Sequence, residues 1–251
     1  MTDKRYAGIG IKQVIRLEWM QKAANLKLAG LNADNIRQEL HAFLRHRKGN
    51  GSTGERSQRT RSFVVSNLMK IWASPAPELI PLRDATLAFL RENPSMTLAA
   101  HWAMISAAYP FWFNVARQTG RLLSIQDQVA KPQIIQRLKE HYGDRQTVSR
   151  YAQFVIRSCV AWGALQDSKA KGCYEKADLV YIAQPDMAIL LLESALQATP
   201  TGRCAMGLLL NSPAFFPFKL PVMTADMIAQ QSERIDVILY GSDEALLTLK
   251  G

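Results

Sequence analysis

The side chains best suited to bind a ligand lie between residues 145 and 157. Their spacing places six long or hydroxylated polar groups on one face of a predicted helix: Arg145, Gln146, Ser149, Arg150, Gln153 and Arg157. No acid is among them, although exposed helices usually include Glu because pairs of opposite charge four residues apart stabilise a helix. Phosphates on both walls of a DNA major groove would repel carboxylates, whereas Arg and Gln can read base edges. The pattern therefore predicts binding of a polyanion, DNA in particular.

Two further groups of basic residues accompany this face. Lys169 and Lys171 fall in a predicted turn, where they could contact a neighbouring phosphate. The other group lies in a Gly-, Ser- and Arg-rich stretch over residues 45–61, in which we expect no side chain to be buried: Arg45, Arg47, Lys48, Arg56, Arg59 and Arg61. Such a stretch is typical of a mobile loop or of an arm that follows phosphates.

Catalytic and metal-binding patterns are weak. There is no phosphate-cradling Gly-rich loop, and His41 and His46 are five residues apart, off the spacing that aligns two metal ligands on a helix. Cys159 falls on an apolar face, which favours a core position. Asp167-Ser-Lys169 resembles the acidic-x-Lys pair of metal-dependent nucleases, but we expect no earlier strand to supply the second acid. We therefore expect no enzymatic activity, no cofactor, no metal and no small-molecule substrate.

The elements that position the polar face predict a winged helix-turn-helix module over residues 124–184. A helix over 129–142 is followed by a turn at Gly143 and by Asp144 as N-cap of a second helix over 145–162. That helix has an apolar face of Val148, Ala152, Val155, Ile156, Cys159 and Val160. A hairpin with strands at 164–168 and 179–182 would follow. Winged helices also dock proteins, so a scaffold that binds an acidic partner is the alternative function.

The whole chain is predicted to be mainly α: a helical bundle with winged helix-turn-helix-like modules and small β-hairpins. We predict helices over 11–29, ended by Gly30, over 32–46, capped by Asn32, and over 57–72. Two or three helices follow over 78–123, with the aromatic segment 109–113 in the core rather than stacking on bases. The tail is predicted to hold a helix from Pro185, a helix after Thr224 and a hairpin over 234–250 that turns at Gly241-Ser242.

The charge distribution divides the chain into four predicted segments. Its 251 residues carry a net charge of +10, which favours a polyanionic partner. Residues 1–72 hold 14 basic against 5 acidic residues, 73–116 hold 2 against 3, 117–176 hold 11 against 5, and 177–251 hold 4 against 8; chance clustering is the alternative explanation. We predict a basic helical domain of helix-turn-helix type (1–74), a helical spacer packed on both neighbours (75–123), the winged module (124–184) and an acidic helical tail with a terminal hairpin (185–251).

The location is predicted to be cytoplasmic. The three cysteines have no Cys-x-x-Cys spacing, as expected of reduced thiols. The first ten residues lack the apolar centre of a signal peptide. The most apolar stretch, 98–113, is short for a bilayer span of roughly 20 residues, so no membrane partner is expected.

In layout and length, residues 10–185 resemble the BrxA-type accessory proteins of bacterial BREX phage-defence systems. The similarity is in the helical hairpin Leu-Ala-Gly-Leu-Asn-Ala-Asp-Asn-Ile (28–36), the Arg- and Ser-rich entry to the third helix, Ala-Tyr-Pro-Phe (108–111) and Gly-Asp-Arg-Gln-Thr-Val-x-Arg (143–150). The resemblance implies a helical protein with winged-helix-like modules that binds double-stranded DNA, lacks catalytic activity and acts beside other defence-system proteins. It implies no individual site residues, and the acidic tail would be an extension.

Overall fold

The computed structural model describes residues 4–240 and 244–250 and is mainly helical, as the sequence predicted. The helices of this part of the chain are α1 (Lys4–Ala7), α2 (Leu17–Leu28), α3 (Ala33–Phe43), α4 (Gln58–Leu68), α5 (Ile80–Glu92), α6 (Thr97–Ala108), α7 (Pro110–Leu123), α8 (Lys131–Tyr142), α9 (Gln146–Ala161), α10 (Pro185–Gln197), α11 (Met206–Leu210) and α12 (Ala225–Gln231). A π-helical turn, Met69–Ala73, continues α4, and short 3-10 turns occur at Pro77–Leu79, Pro94–Met96 and Pro213–Phe215.

The strands form small sheets at the surface of the helical body. They are β1 (Gln128–Ala130), β2 (Leu165–Asp167), β3 (Cys173–Lys176), β4 (Val180–Tyr181), β5 (Arg203–Ala205), β6 (Phe218–Lys219), β7 (Ile235–Tyr240) and β8 (Glu244–Leu249). An antiparallel sheet has the order β1-β3-β2, a parallel pair joins β4 to β6, and a second antiparallel sheet has the order β5-β8-β7.

Helix α6 is the centre of the core. Residues 99–107 are buried on every side, and the helix packs against α2, α5, α7 and α10. A helix that is apolar all round is stable only when other elements cover all of its faces. The aromatic segment Tyr109–Phe113 follows it and is buried as predicted, so these rings cannot stack on bases. Buried apolar side chains from all four predicted segments form one continuous cluster.

The N-terminal helices largely follow the predicted pattern. Gly30 ends α2 with a φ of 80°, and the Asn32 side chain caps α3 by accepting a hydrogen bond from the backbone N–H of Asn35. The start of α2 was predicted too early, because residues 11–16 are not helical. The backbone of Ile15 instead bonds to two distant side chains: its N–H donates to Ser158 Oγ, and its carbonyl accepts from Trp162 Nε1, both at 2.9 Å.

The tail was predicted with its main elements in place. Helix α10 begins at Pro185, and Thr224 caps α12 by accepting from the N–H of Met227. Strands β7 and β8 pair antiparallel as a hairpin, although the predicted turn at Gly241-Ser242 lies outside the described residues. The third strand of this sheet, β5, was not predicted. In the described part of the chain, no helix is both long and apolar enough to cross a bilayer.

Gly120 on α7 gives a test of this packing. An alanine Cβ at this position would lie 1.9 Å from the Pro213 carbonyl oxygen and 3.0 Å from Phe216 Cβ. Gly→Ala inside a helix normally stabilises by about 0.5–1 kcal/mol. We expect Gly120→Ala to do the opposite and to lower the free energy of unfolding by about 1–3 kcal/mol, as overpacking does. Thermal and urea unfolding would measure the change.

Gly207→Ala is the matched control. Gly207 lies in α11, outside the left-handed region of φ, and an added Cβ would meet nothing within 4 Å. Its replacement should be neutral or stabilising. Equal or greater stability of Gly120→Ala relative to wild type would contradict the close contact between α7 and the 213–216 turn.

Candidate nucleic-acid interface

Helix α9 has the two faces that the sequence predicted. Its apolar face is buried through Val148, Ala152, Val155, Ile156 and Cys159, while Val160 is half-buried. The opposite face carries Gln146, Arg150 and Gln153, which are exposed, and Ser149, which is half-buried. The guanidinium of Arg150 lies 6.0 Å from the centre of the Phe154 ring on the same helix. This face therefore offers one unpaired cation and two amides to solvent.

The N-terminus of α9 differs from the prediction. The helix begins at Gln146, Arg145 occupies the N-cap position, and no side chain caps the helix. Asp144 was predicted to cap the helix but lies one residue before the N-cap, and its carboxylate pairs with Lys139 of α8 at 2.7 Å. The Arg145 side chain is exposed but turns back to donate to the Tyr142 carbonyl oxygen at 2.9 Å. Arg145 therefore lies beside the helix start rather than along its polar face.

Arg157 is not the free cation that its spacing predicted. Its Nη1 forms an ion pair with the carboxylate of Asp167 on β2. Desolvation lowers the pKa of Arg157, but the bond to Asp167 outweighs it, so the pKa is raised and the guanidinium stays charged. The polar face of α9 contains no acidic residue of the helix itself, but an acid from another element lies beside it. The neighbouring strand supplies a carboxylate that neutralises the C-terminal end of the face.

The hairpin after α9 has a different return strand from the predicted one. Strand β2 pairs with β3, in which Tyr174 faces Asp167. Within the predicted return strand at 179–182, only Val180 and Tyr181 form a strand, β4, which pairs with β6. Strand β1 adds to the other edge of β3, so Val129 is in a strand rather than in the predicted helix. Lys169 and Lys171 lie in the connecting turn and are exposed, as expected for its tip.

The nuclease-like pair Asp167-Ser-Lys169 lies in this same sheet. An earlier strand does exist, contrary to expectation, but β1 carries Gln128, Val129 and Ala130 and is separated from β2 by β3. It therefore places no second carboxylate beside Asp167. In residues 4–240 and 244–250, no cluster of three or more His, Cys, Asp or Glu side chains could hold a metal ion.

The basic stretch 45–61 is folded back on itself. Arg47 and Thr53 form an isolated antiparallel bridge, and the Arg47 guanidinium stacks 4.0 Å from the Phe43 ring centre. Arg45, Lys48 and Arg59 are exposed, and Arg61 is half-buried. The expectation that nothing here is buried was wrong for Arg56, which is 6% exposed and lies over the Trp19 ring at 4.9 Å. Arg56 therefore cannot project from the surface as part of an arm.

Residues 14–16 connect this basic stretch to α9. A Cβ on Gly49 would lie 3.3 Å from Val14 Cβ, and one on Gly51 would lie 3.0 Å from Arg16 Nη1, so the turn of the basic stretch rests on this segment. Ile15, between them, carries the two hydrogen bonds to Ser158 and Trp162. Sequence reasoning did not place Arg16 near the interface, and local spacing holds no signal for a contact between residues 16 and 51.

No family model, curated protein or solved structure matched the chain. Of the cations predicted for the site, those that face solvent and form no ion pair with a described residue are Arg145 and Arg150 at α9, Lys169 and Lys171 in the turn, and Arg45, Arg47, Lys48 and Arg59 in the basic stretch. Together they come from three separate parts of the sequence.

The cysteines give a test of how α9 is packed. Cys159 is buried on the apolar face of α9, and desolvation raises the pKa of its thiol well above the ordinary value. The thiolate is the form that reacts with alkylating reagents. We expect iodoacetamide at pH 8 to modify the half-buried Cys173 in the native protein and to leave Cys159 unmodified, as read by peptide mass spectrometry. Cys204 should react more slowly than Cys173, because burial also raises the pKa of its thiol. In denaturant all three should react, whereas native alkylation of Cys159 as fast as Cys173 would contradict this packing.

Proposed function

We propose that this protein binds double-stranded DNA without strong sequence preference and has no catalytic activity of its own. The observation that carries the proposal is the polar face of α9, with exposed Gln146, Arg150 and Gln153, beside an exposed turn that holds Lys169 and Lys171. Amide and guanidinium side chains on a helix can enter a major groove, and lysines on a nearby turn can contact phosphates. Arg45, Lys48 and Arg59 would extend the contact to more distant phosphates.

The order of elements from α7 to β3 supports a winged-helix assignment for this region. It runs helix, strand, helix, helix, strand, turn, strand, and the strands form an antiparallel sheet of order β1-β3-β2. In this assignment α9 is the recognition helix and the turn 168–172 is the wing. The helix before β1, α7, would contribute the first helix of the module, so the module would begin near Pro110 rather than at residue 124.

The spread of the exposed cations favours contact with the DNA backbone over base reading. Arg150 is the single unpaired Arg on the polar face of α9 itself, since Arg157 pairs with Asp167. One guanidinium and two amides can recognise few base pairs, because each side chain makes a bidentate contact with one base. Each such contact favours the correct base by about 1–3 kcal/mol. The remaining cations would contact phosphates, which are the same in every sequence.

We also propose that the protein acts in the cytoplasm as an accessory factor of a bacterial phage-defence system, beside other proteins of that system. This part rests on the layout resemblance to BrxA-type proteins. The unpaired state of Cys159, Cys173 and Cys204 accords with a reducing compartment. The alternative function, docking of an acidic protein partner, uses the same basic surface and is separated from DNA binding by the titration below.

A triple variant, Arg150→Gln, Lys169→Gln and Lys171→Gln, tests the interface. We expect its affinity for a labelled 20-base-pair duplex of mixed sequence to fall at least tenfold in a fluorescence-anisotropy titration. Binding of wild type to about six to eight phosphates would give log affinity a slope near −5 to −7 against log salt. Loss of the two phosphate contacts of Lys169 and Lys171 would make that slope less negative by about 2.

The matched control is Arg91→Gln, Arg203→Gln and Lys219→Gln, which removes the same charge from exposed positions on α5, β5 and β6. It should retain most of the affinity. Equal weakening by both triple variants would mean that net charge, not this surface, determines binding. No duplex binding by wild type at low salt would contradict the proposal, and binding to poly-glutamate in its place would support the acidic-partner function.

Asp167→Asn should have the opposite effect. It removes a carboxylate beside the proposed DNA path and releases the charge of Arg157 from its ion pair. We expect duplex affinity to rise several-fold, with the largest gain at low salt, where charges are screened least. Asp84→Asn is the control, because Asp84 pairs with Arg83 at 2.7 Å and is as exposed as Asp167 (56% against 57%). Equal or weaker binding by Asp167→Asn than by Asp84→Asn would place Asp167 outside the interface.

A further inference from the structure

A cleft lies between the C-terminal end of α3 and the N-terminus of α4. It is a cavity of about 430 Å³, and its lining includes one histidine, three arginines and a single acid: His41, Arg45, Arg56, Arg61 and Glu55. The arginines come from both ends of the basic stretch, which folds back so that the backbone N–H of Arg56 donates to the Arg45 carbonyl oxygen at 2.8 Å. Folding therefore brings the positive charges of three arginines from a 17-residue stretch into one cleft.

Arg56 is a buried cation in this cleft without a carboxylate partner. It is 6% exposed, its guanidinium covers the Trp19 ring, and Nη1 donates to the Arg47 carbonyl oxygen at 3.2 Å. It forms no ion pair within the described residues. Desolvation lowers the pKa of Arg56. A buried charge is costly unless it is paired, so an anion in the cleft would offset part of the cost of burying Arg56.

Arg61 adds positive charge to the cleft, and His41 adds a neutral hydrogen-bonding group. The Nε of Arg61 is buried and has no hydrogen-bond partner in the described part of the chain. The pKa of His41 is lowered, first by desolvation and then by the charges of Arg61 and Arg37, so His41 is neutral at pH 7 and can accept or donate one hydrogen bond. Glu55 is exposed at the cleft and cannot neutralise three arginines.

The start of α4 contributes donors to the same space. Ser57 caps this 11-residue helix by accepting from the N–H of Thr60, and both Ser57 and Gln58 line the cleft. The first N–H groups of an α-helix have no acceptor within the helix, and the helix dipole is positive at this end. Guanidinium groups match the oxygen geometry of phosphate and can bind it through two parallel hydrogen bonds.

We propose that this cleft is a phosphate-binding site in which Arg45 and Arg61 contact the anion and the buried charge of Arg56 attracts it. The site deepens the proposed function and rests on it in one respect, because the phosphate would come from the backbone of a bound duplex. Free inorganic phosphate offers the same chemistry. The site would anchor one phosphate at a position set by α3 and α4, apart from the surface of α9.

The test compares Arg45→Gln/Arg61→Gln with Arg91→Gln/Arg203→Gln, which removes the same charge from exposed positions on α5 and β5. In the first arm, anisotropy with the 20-base-pair duplex is measured over a range of salt. We expect the cleft variant to bind at least fivefold more weakly than the control, with a salt slope less negative by about 1–2.

In the second arm, thermal unfolding is followed in sodium phosphate and in sodium chloride of equal ionic strength. Phosphate should raise the Tm of wild type and control but not of the cleft variant.

The outcomes separate this site from the proposed function. A cleft effect in the first arm supports a backbone phosphate as the ligand, and an effect in the second arm alone supports free phosphate. No difference between cleft variant and control in either arm overturns the site, even if the triple variant at α9 and the turn still weakens duplex binding. If wild type binds no duplex, the proposed function fails, and the thermal arm still decides whether the cleft binds phosphate.

Discussion

The ring of Trp102 on α6 is the contact on which the arrangement of the whole molecule depends. It meets the rings of Trp112, Trp162, Phe216 and Phe218 with centroids 5.6 to 6.2 Å apart, all in edge-to-face geometry. These rings belong to α7, to the C-cap of α9, to the turn before β6 and to β6 itself. Aromatic pairs in this geometry contribute about 0.5–1.5 kcal/mol each beyond the area they bury. One side chain thus holds together parts of the chain more than a hundred residues apart.

This cluster also sets the position of the proposed interface. Trp162, which ends α9, contacts Trp102 with its ring and donates from Nε1 to the Ile15 carbonyl oxygen. Ile15 lies between Val14 and Arg16, on which the turn of the basic stretch rests. The core therefore places α9 and the basic stretch relative to each other through a few buried contacts.

Local patterns predicted most of the helices and the terminal hairpin but not the contacts between elements. Helical spacing and capping residues gave α3, α10, α12 and both faces of α9, because these depend on residues a few positions apart. The errors share a different cause. Ile15, predicted to lie in α2, forms hydrogen bonds with Ser158 and Trp162 instead. Asp144, predicted to cap α9, pairs with Lys139. Arg56, predicted to be exposed, packs on the Trp19 ring. Each error involves a partner that lies in another element, which the spacing within one element cannot indicate. The hairpin is a further case: β2 pairs with β3 and not with the predicted return strand, because residues 180–181 pair with β6.

The same limit applies to the charge argument for the interface. Spacing alone predicted an acid-free helix face, but Asp167 on the adjacent strand neutralises Arg157. The stretch 45–61 looked suited only to solvent, yet folding turns part of it inwards and leaves Arg56 without a carboxylate partner among the described residues. Folding thus removes one cation from the α9 surface and concentrates others in a cleft. A polyanion bound by such a protein would be held mainly where the cations have no internal partner, and the predicted site supplies such cations at α9, in the turn 168–172 and in the basic stretch. Contacts of that kind follow the spacing of phosphates along a duplex, which is constant, rather than the identity of its bases.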